Sequence, residues 1–233
     1  MLAVSARGAT AGQPVRTRHV ASVAQGRFIT FEGGEGAGKS TQLVQLATRL
    51  NLAGIQLVRT REPGGSEGAE AIRNLVLNGD ADRWSSMTET LLMYAARRDH
   101  IERVIRPALA RGHWVLCDRF ADSTRAYQGA AGGTDVGLIS ALEAHVLGET
   151  RPDLTLILDI DPEVGLHRAA LRAGNEMRFE SKGLEFHQRH RAGFLEIAAS
   201  EPDRCVLVDA SGKVPHISER VWAAVQERLA VHG

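Results

Sequence analysis

Residues 31–41 read FEGGEGAGKST. Gly33, Gly38, Lys39 and Ser40 fill the fixed places of the G-x-x-x-x-G-K-S pattern. Before it stands the short β-forming run "RFITF"; after it, "TQLVQLATRL" places Leu43, Leu46, Ala47 and Leu50 at helical spacing. Strand, glycine turn and helix are the context that this pattern needs. Gly33, Gly34, Gly36 and Gly38, with Ala37, let the backbone turn its N–H groups inward, and Thr41 lies in the first turn of the helix whose N-terminus adds partial positive charge. Lys39 is expected to reach the β- and γ-phosphates of a nucleoside triphosphate, and Ser40 to ligate Mg²⁺. Glu35 poses a question, because it puts a carboxylate inside a loop built to attract anions.

From residue 27 onward, apolar strand-like runs alternate with helical patterns. Strands are expected near 27–32, 55–60, 113–117, 154–160 and 205–209. Helices are expected over 39–53, 66–78, from a capping box Ser86–x–x–Glu89 to about Gly112, over 134–147, from Pro162 behind an Asp161 cap, over 184–200 and over 214–231. Residues 118–133 read as a polar stretch. Continuous apolar strands between helices mean an α/β fold, a parallel sheet covered on both faces, with ligands gathering at the carboxyl ends of the strands. The chain divides into an N-terminal extension, 1–26, and one domain, 27–233. The extension contains no acidic residue and no sustained period, and is expected to be disordered. Twenty-eight basic residues balance 28 acidic ones, so no global field points to nucleic acid, and no apolar run approaches a membrane span. Cys117 and Cys205 lie in apolar runs and read as buried thiols of a cytoplasmic protein.

Three further stretches carry chemistry. "CDRF" ends the third strand; Asp118 is placed to act on Mg²⁺ or its water shell, and Arg119 to bind a second phosphate. "YAARRDH" sets Arg97 and Arg98 on a helix, where at most one faces a given site. "GLHRAALRAGNEMR" carries Arg168 and Arg172, four apart, and Arg178, in a segment that reads as an arginine-bearing lid. "DSTRAYQGAAGG" adds hydroxyls and the Gln128 amide, suited to reading a base edge or a sugar.

The ordered set "FEGGEGAGKST", "REPGG", "YAARRDHI", "DRFADSTRAYQG" and "LDIDPEVGLHR" resembles the bacterial thymidylate kinase family, from about Arg27 to the C-terminus. The resemblance implies a three-layer P-loop kinase fold with a five-stranded parallel sheet. It implies transfer of a phosphoryl group from ATP to dTMP with Mg²⁺, in a homodimer packed through helices. It assigns Arg97 and Arg119 to the acceptor phosphate, Arg73 to a thymine carbonyl, Thr124 to the base and Tyr127 to the 2′ position. It makes Glu62–Pro63 a site of cis geometry within the acceptor pocket. Glu35 would face the acceptor's 3′-hydroxyl, and the transition-state arginine would come from the lid, from Arg168, Arg172 or Arg178. Asp99 stands where the family often has Gln or Asn near the base, and Trp84 is the candidate to stack on thymine. The rival readings are a deoxynucleoside kinase and a P-loop switch or motor; against the latter, the sequence contains neither the N-K-x-D of a GTPase nor the L-S-G-G-Q of a transporter ATPase.

Overall fold

In the computed structural model, residues 26–80, 82–171 and 182–231 are described. Five parallel strands are β1 (Phe28–Gly33), β2 (Leu57–Arg61), β3 (Trp114–Asp118), β4 (Leu154–Asp159) and β5 (Cys205–Asp209). They lie in the order β2-β3-β1-β4-β5. The register sets Phe31 opposite Asp118, and Asp118 opposite Arg61, so β2 and β3 end at one level and β1 runs two residues further. The central strand is apolar on both faces because helices cover both: Phe28, Ile29 and Phe31 are fully buried.

The helices are α1 (Lys39–Leu52), α2 (Glu67–Leu77), α3 (Ser86–His100), α4 (Arg106–Ala110), α5 (Ala121–Thr124), α6 (Val136–Leu147), α7 (Pro162–Ala170), α8 (Leu184–Ser200) and α9 (Val214–Leu229). One core packs α1 and α9 on the sheet through Leu43, Leu46, Leu50, Val221 and Val225. On the other side, Tyr94, Ile101 and Ile105 meet Phe28, Val115 and Phe120.

The sequence reading differs from the structure in three places. Helix α3 passes into a π-helical turn, Ile101–Ile105, before α4, so the expected long helix is interrupted. Its cap is Ser85, whose hydroxyl accepts from the Thr88 N–H (3.2 Å), while the Ser86 hydroxyl donates to the Gln128 carbonyl (3.3 Å). The polar stretch after β3 is helical, as α5 followed by a π-helical segment, Arg125–Ala131. Packing against α8 overrides its weak helical pattern: Gly193 comes so close that a Cβ there would lie 2.7 Å from the Ala130 Cβ. Asp161 does cap α7, accepting from the N–H groups of Glu163 (2.9 Å) and Val164 (3.4 Å).

Candidate active site

The glycine loop leaves β1 at Gly33 and enters α1 at Lys39. At Gly36 the backbone has φ +66°, and a Cβ would sit 1.9 Å from the Gly165 carbonyl oxygen, so only glycine lets the loop press against α7. Lys39 folds across its own loop and donates to the carbonyls of Gly33 (3.1 Å) and Gly34 (2.8 Å). The Ser40 hydroxyl donates to the Asp118 carboxylate, so the two expected Mg²⁺ ligands stand side by side at the start of α1 and the end of β3.

Arg119 follows directly. Its backbone is left-handed, φ +69°, which is uncommon for a residue with a Cβ and concentrates at functional sites. Its N–H donates to the Phe31 carbonyl (2.9 Å), which ties the turn to the central strand. The side chain thereby swings over the glycine loop. Its Nη2 donates to Glu35 Oε1 (2.9 Å), and its Nη1 to the Gly33 carbonyl and the Ser123 hydroxyl (both 3.4 Å). The Tyr127 hydroxyl donates to the same Glu35 oxygen. The Tyr127 ring lies 4.9 Å from the Arg119 guanidinium and 3.7 Å from the His190 ring.

The acid in the loop is therefore a counter-charge. Burial alone would raise the Glu35 pKa, but the Arg119 and Lys39 cations outweigh it and hold the carboxyl well below its usual range. Burial, helped by Arg119, pushes Lys39 down to about 8. Three residues earlier, on β1, Glu32 is fully buried and accepts from the Phe120 N–H (2.7 Å) and the Ser123 hydroxyl (2.6 Å). Burial and the nearby Asp122 push its pKa up to about 7.

Beyond Arg119 the ends of β2 and β3, helices α2 and α3 and the π-helical segment enclose a cavity of about 350 Å³. Arg73, Arg97, Thr124 and Gln128 line it together with the loop residues Glu35, Gly36, Gly38, Lys39 and Ser40. Arg73 donates to the Pro63 carbonyl (2.6 Å) beside the cis Glu62–Pro63 bond. Arg97 is 2% exposed; its Nη2 donates to the Phe120 carbonyl (2.9 Å) and the Thr124 hydroxyl (3.1 Å). Its Nη1 is buried without a hydrogen-bond partner among the described residues. Arg98, its neighbour in sequence, points away to the Val146 carbonyl (3.2 Å), as helical geometry requires.

The apolar wall was missed in the sequence. Leu77 and Met93 form part of it, and on a helix they look like ordinary core residues. Trp84 lies outside the cavity, its indole N–H donating to the Leu75 carbonyl (3.0 Å). Asp99 is also outside: it accepts from the Ser66 hydroxyl (2.6 Å) and from Arg103 Nε (2.6 Å), and so anchors the start of α2. Arg168, on α7, donates to the Ala210 carbonyl just past β5 (3.1 Å). Arg172 and Arg178 lie outside the described residues. Arg61, Ser123, Glu32 and His190 also belong to the site, and no fixed spacing marks them.

Residues 31–221 match the family model described as thymidylate kinase. The chain belongs to the thymidylate kinase family. It is 66% identical over 207 residues to a thymidylate kinase of Caulobacter vibrioides, covering 89% of this chain and 99% of that one. A thymidylate kinase of Rhodopseudomonas palustris is 56% identical over 88% of this chain and 90% of its own length. The crystal structure of thymidylate kinase from Ehrlichia chaffeensis superposes with a TM-score of 0.72 at 34% identity, over 87% of this chain and 100% of that chain. The family's P-loop kinase fold is the one seen here, with its cavity over the β2-β3-β1 side of the sheet.

Proposed function

We propose that this chain transfers the γ-phosphoryl group of ATP to dTMP, giving dTDP and ADP, for dTTP synthesis. The observation that carries the reading is the shared cavity: the phosphate loop, the buried Arg97 and the partly buried Arg119 line one space. Two anionic nucleotides repel each other, so a transferase must hold a cation between them. Arg119 is built for that place, bonded at once to the loop and to Glu35. Arg97, bonded to Thr124 at the cavity wall, sets its charge against the phosphate of the acceptor nucleotide. Arg73, Thr124 and Gln128 read the base, Leu77 and Met93 pack against it, and Tyr127 crowds the sugar.

Glu35 has a second task in this reading. Held ionised by Arg119, it accepts from the acceptor's 3′-hydroxyl and sets the sugar in line. No general base is required, because a phosphate monoester oxygen is already nucleophilic; catalysis is positioning and charge neutralisation. The donor set suits Mg²⁺. Ser40 and Asp118 give one hydroxyl and one carboxylate, and among the described residues no group of three or more His, Cys, Asp or Glu gathers. An ion that completes its shell with water and phosphate oxygens needs no more. When bound there, Mg²⁺ supplies charge neutralisation of the phosphates. Arg168 sits past β4 and β5, on the opposite side of the loop from the cavity, which suits a lid arginine on the ATP side, with Arg172 and Arg178 following. Exposed Met87 and Leu91, one turn apart on α3 and about half accessible at 47% and 49%, suit a homodimer packed through helices.

An ADP-release assay across dTMP, dUMP, dCMP, UMP and thymidine tests the substrate. The highest kcat/KM is expected with dTMP. Highest turnover with thymidine or a cytosine nucleotide overturns the reading.

A further inference from the structure

Arg97 is held by a row of buried groups that the reaction itself does not use. Its Nε donates to Glu62 Oε2 (2.7 Å). The other Glu62 oxygen meets His100 Nδ1 (2.9 Å), and His100 Nε2 meets the Thr60 hydroxyl (2.7 Å). Arg97, Glu62 and His100 are almost fully buried. Glu62 has both oxygens engaged by protein groups, although it lies at the cavity wall.

The donors and acceptors fit one arrangement. An ionised Glu62 only accepts, so Nδ1 of His100 carries the hydrogen; Nε2 is then the acceptor for the Thr60 O–H. Apart from Arg97 Nη1, buried without a partner among the described residues, each side-chain polar atom in the row is matched. The row also supports the neighbouring turn. A Cβ at Gly65, φ +88°, would lie 2.4 Å from Thr60 Oγ1 and 2.5 Å from His100 Nε2, so the turn rests directly on the imidazole. The carbonyl of Pro63 in that turn receives Arg73. One histidine at the end of α3 thus stands behind both arginines of the acceptor side.

We propose that His100 is a positioning residue for the acceptor nucleotide, acting through Glu62 on Arg97 and through the Gly65 turn on Arg73. The inference rests on the dTMP reading above for its kinetic consequence, and on the hydrogen-bond row for its structural one. Asn can place its amide nitrogen where Nδ1 stands, whereas Gln reaches toward the Nε2 position. His100→Gln is therefore expected to raise KM for dTMP about tenfold, the loss of one charge-assisted hydrogen bond. KM for ATP should stay within about twofold, because no member of the row touches the glycine loop. His100→Asn should recover most of the dTMP affinity. In an Arg97→Lys background, which already lacks the Nε donor, His100→Gln should add less than it does in the wild type, acting through the Gly65 turn alone.

The Arg97 Nε–Hε resonance gives a readout independent of substrate choice. Its hydrogen exchange is expected to be slow in the wild type and in His100→Asn, and fast in His100→Gln. Should His100→Gln fold poorly, Thr60→Val removes the far end of the row and is expected to act in the same direction more weakly. Equal rises in both KM values, no difference between Asn and Gln, full additivity with Arg97→Lys, or a protected Nε–H in His100→Gln each overturns the proposal. A wild type that does not turn over dTMP would instead refute the function, while the exchange experiment still decides the role of His100.

Discussion

Glu35→Gln tests whether the acid in the phosphate loop is a counter-charge. The Glu35 side chain is 15% exposed, so its interactions are only partly screened. One of its oxygens accepts from both Arg119 and Tyr127. Hydrogen bonds to a charged group contribute about 1.5–3 kcal/mol each, and Gln keeps an oxygen that can still accept both. Since charged bonds are roughly twice as strong as neutral ones, about half is lost, or about 1.5–3 kcal/mol for the two together. Removing the charge also leaves Arg119 and Lys39 facing each other unneutralised, while relieving the cost of burying an ion; these oppose, and we take the net as about 2 kcal/mol of destabilisation. For a domain of this size that is a fall in Tm of about 4–8 °C. The pH dependence has a definite sign. Glu35 has its pKa lowered on folding, so its contribution is present above the unfolded value of 4.5 and is lost as pH falls through the lower folded one. Thermal unfolding of both proteins from pH 8 to pH 3 should show a full gap above about pH 5 that narrows progressively toward pH 3. Inorganic triphosphate should raise the Tm of Glu35→Gln more than that of the wild type, because it then replaces the missing negative charge. An unchanged Tm at pH 7.5, or a gap that does not narrow in acid, refutes the reasoning.

Glu32 behaves in the opposite sense. Its folded pKa is raised, so the folded state binds the proton more tightly than the unfolded chain, and stability is lost as pH rises from 4.5 through about 7. Glu32→Gln can still accept from the Phe120 N–H while its amide donates to Ser123, so urea unfolding should find the variant gaining on the wild type across that window and most favoured at pH 8. Arg97→Ala leaves Glu62 buried without its cation, at an expected cost of about 3–5 kcal/mol. Adding Glu62→Gln should recover part of that stability but none of the affinity for dTMP, measured by chemical denaturation and by KM side by side.

How much of this could be read from the chain depends on where the chemistry is written. The phosphate loop is a contiguous pattern with fixed spacing, and the strand ends follow from apolar runs, so Lys39, Ser40, Asp118 and Arg119 could all be placed beyond the carboxyl ends of the strands from the sequence alone. What Arg119 does there could not. Its left-handed backbone is set by the tie to Phe31 and by Glu32 beneath the following turn, and arginine carries no local signal for that conformation. The helical character of 121–131 was hidden for a related reason. Its residues are small and polar, and they become helical because α8 closes over them. Ser85 and Ser86 are adjacent, and only the position of Thr88 N–H against Gln128 O decides which one caps. Leu77 and Met93 sit at helical spacings that also suit a core, so nothing local separates a cavity wall from interior packing. Asp99 was read by position in a motif, yet its partners are Arg103, four residues on along the helix, and Ser66, which no spacing rule connects to it. The same holds for Glu62, Arg97 and His100, which lie 35 and 38 residues apart along the chain from Glu62 and meet only because β2 and α3 end together. Groups that meet a phosphate through the backbone are legible, because the backbone needs glycines and a helix start at set distances. Groups that act by holding another side chain are not, because the fold alone brings them together.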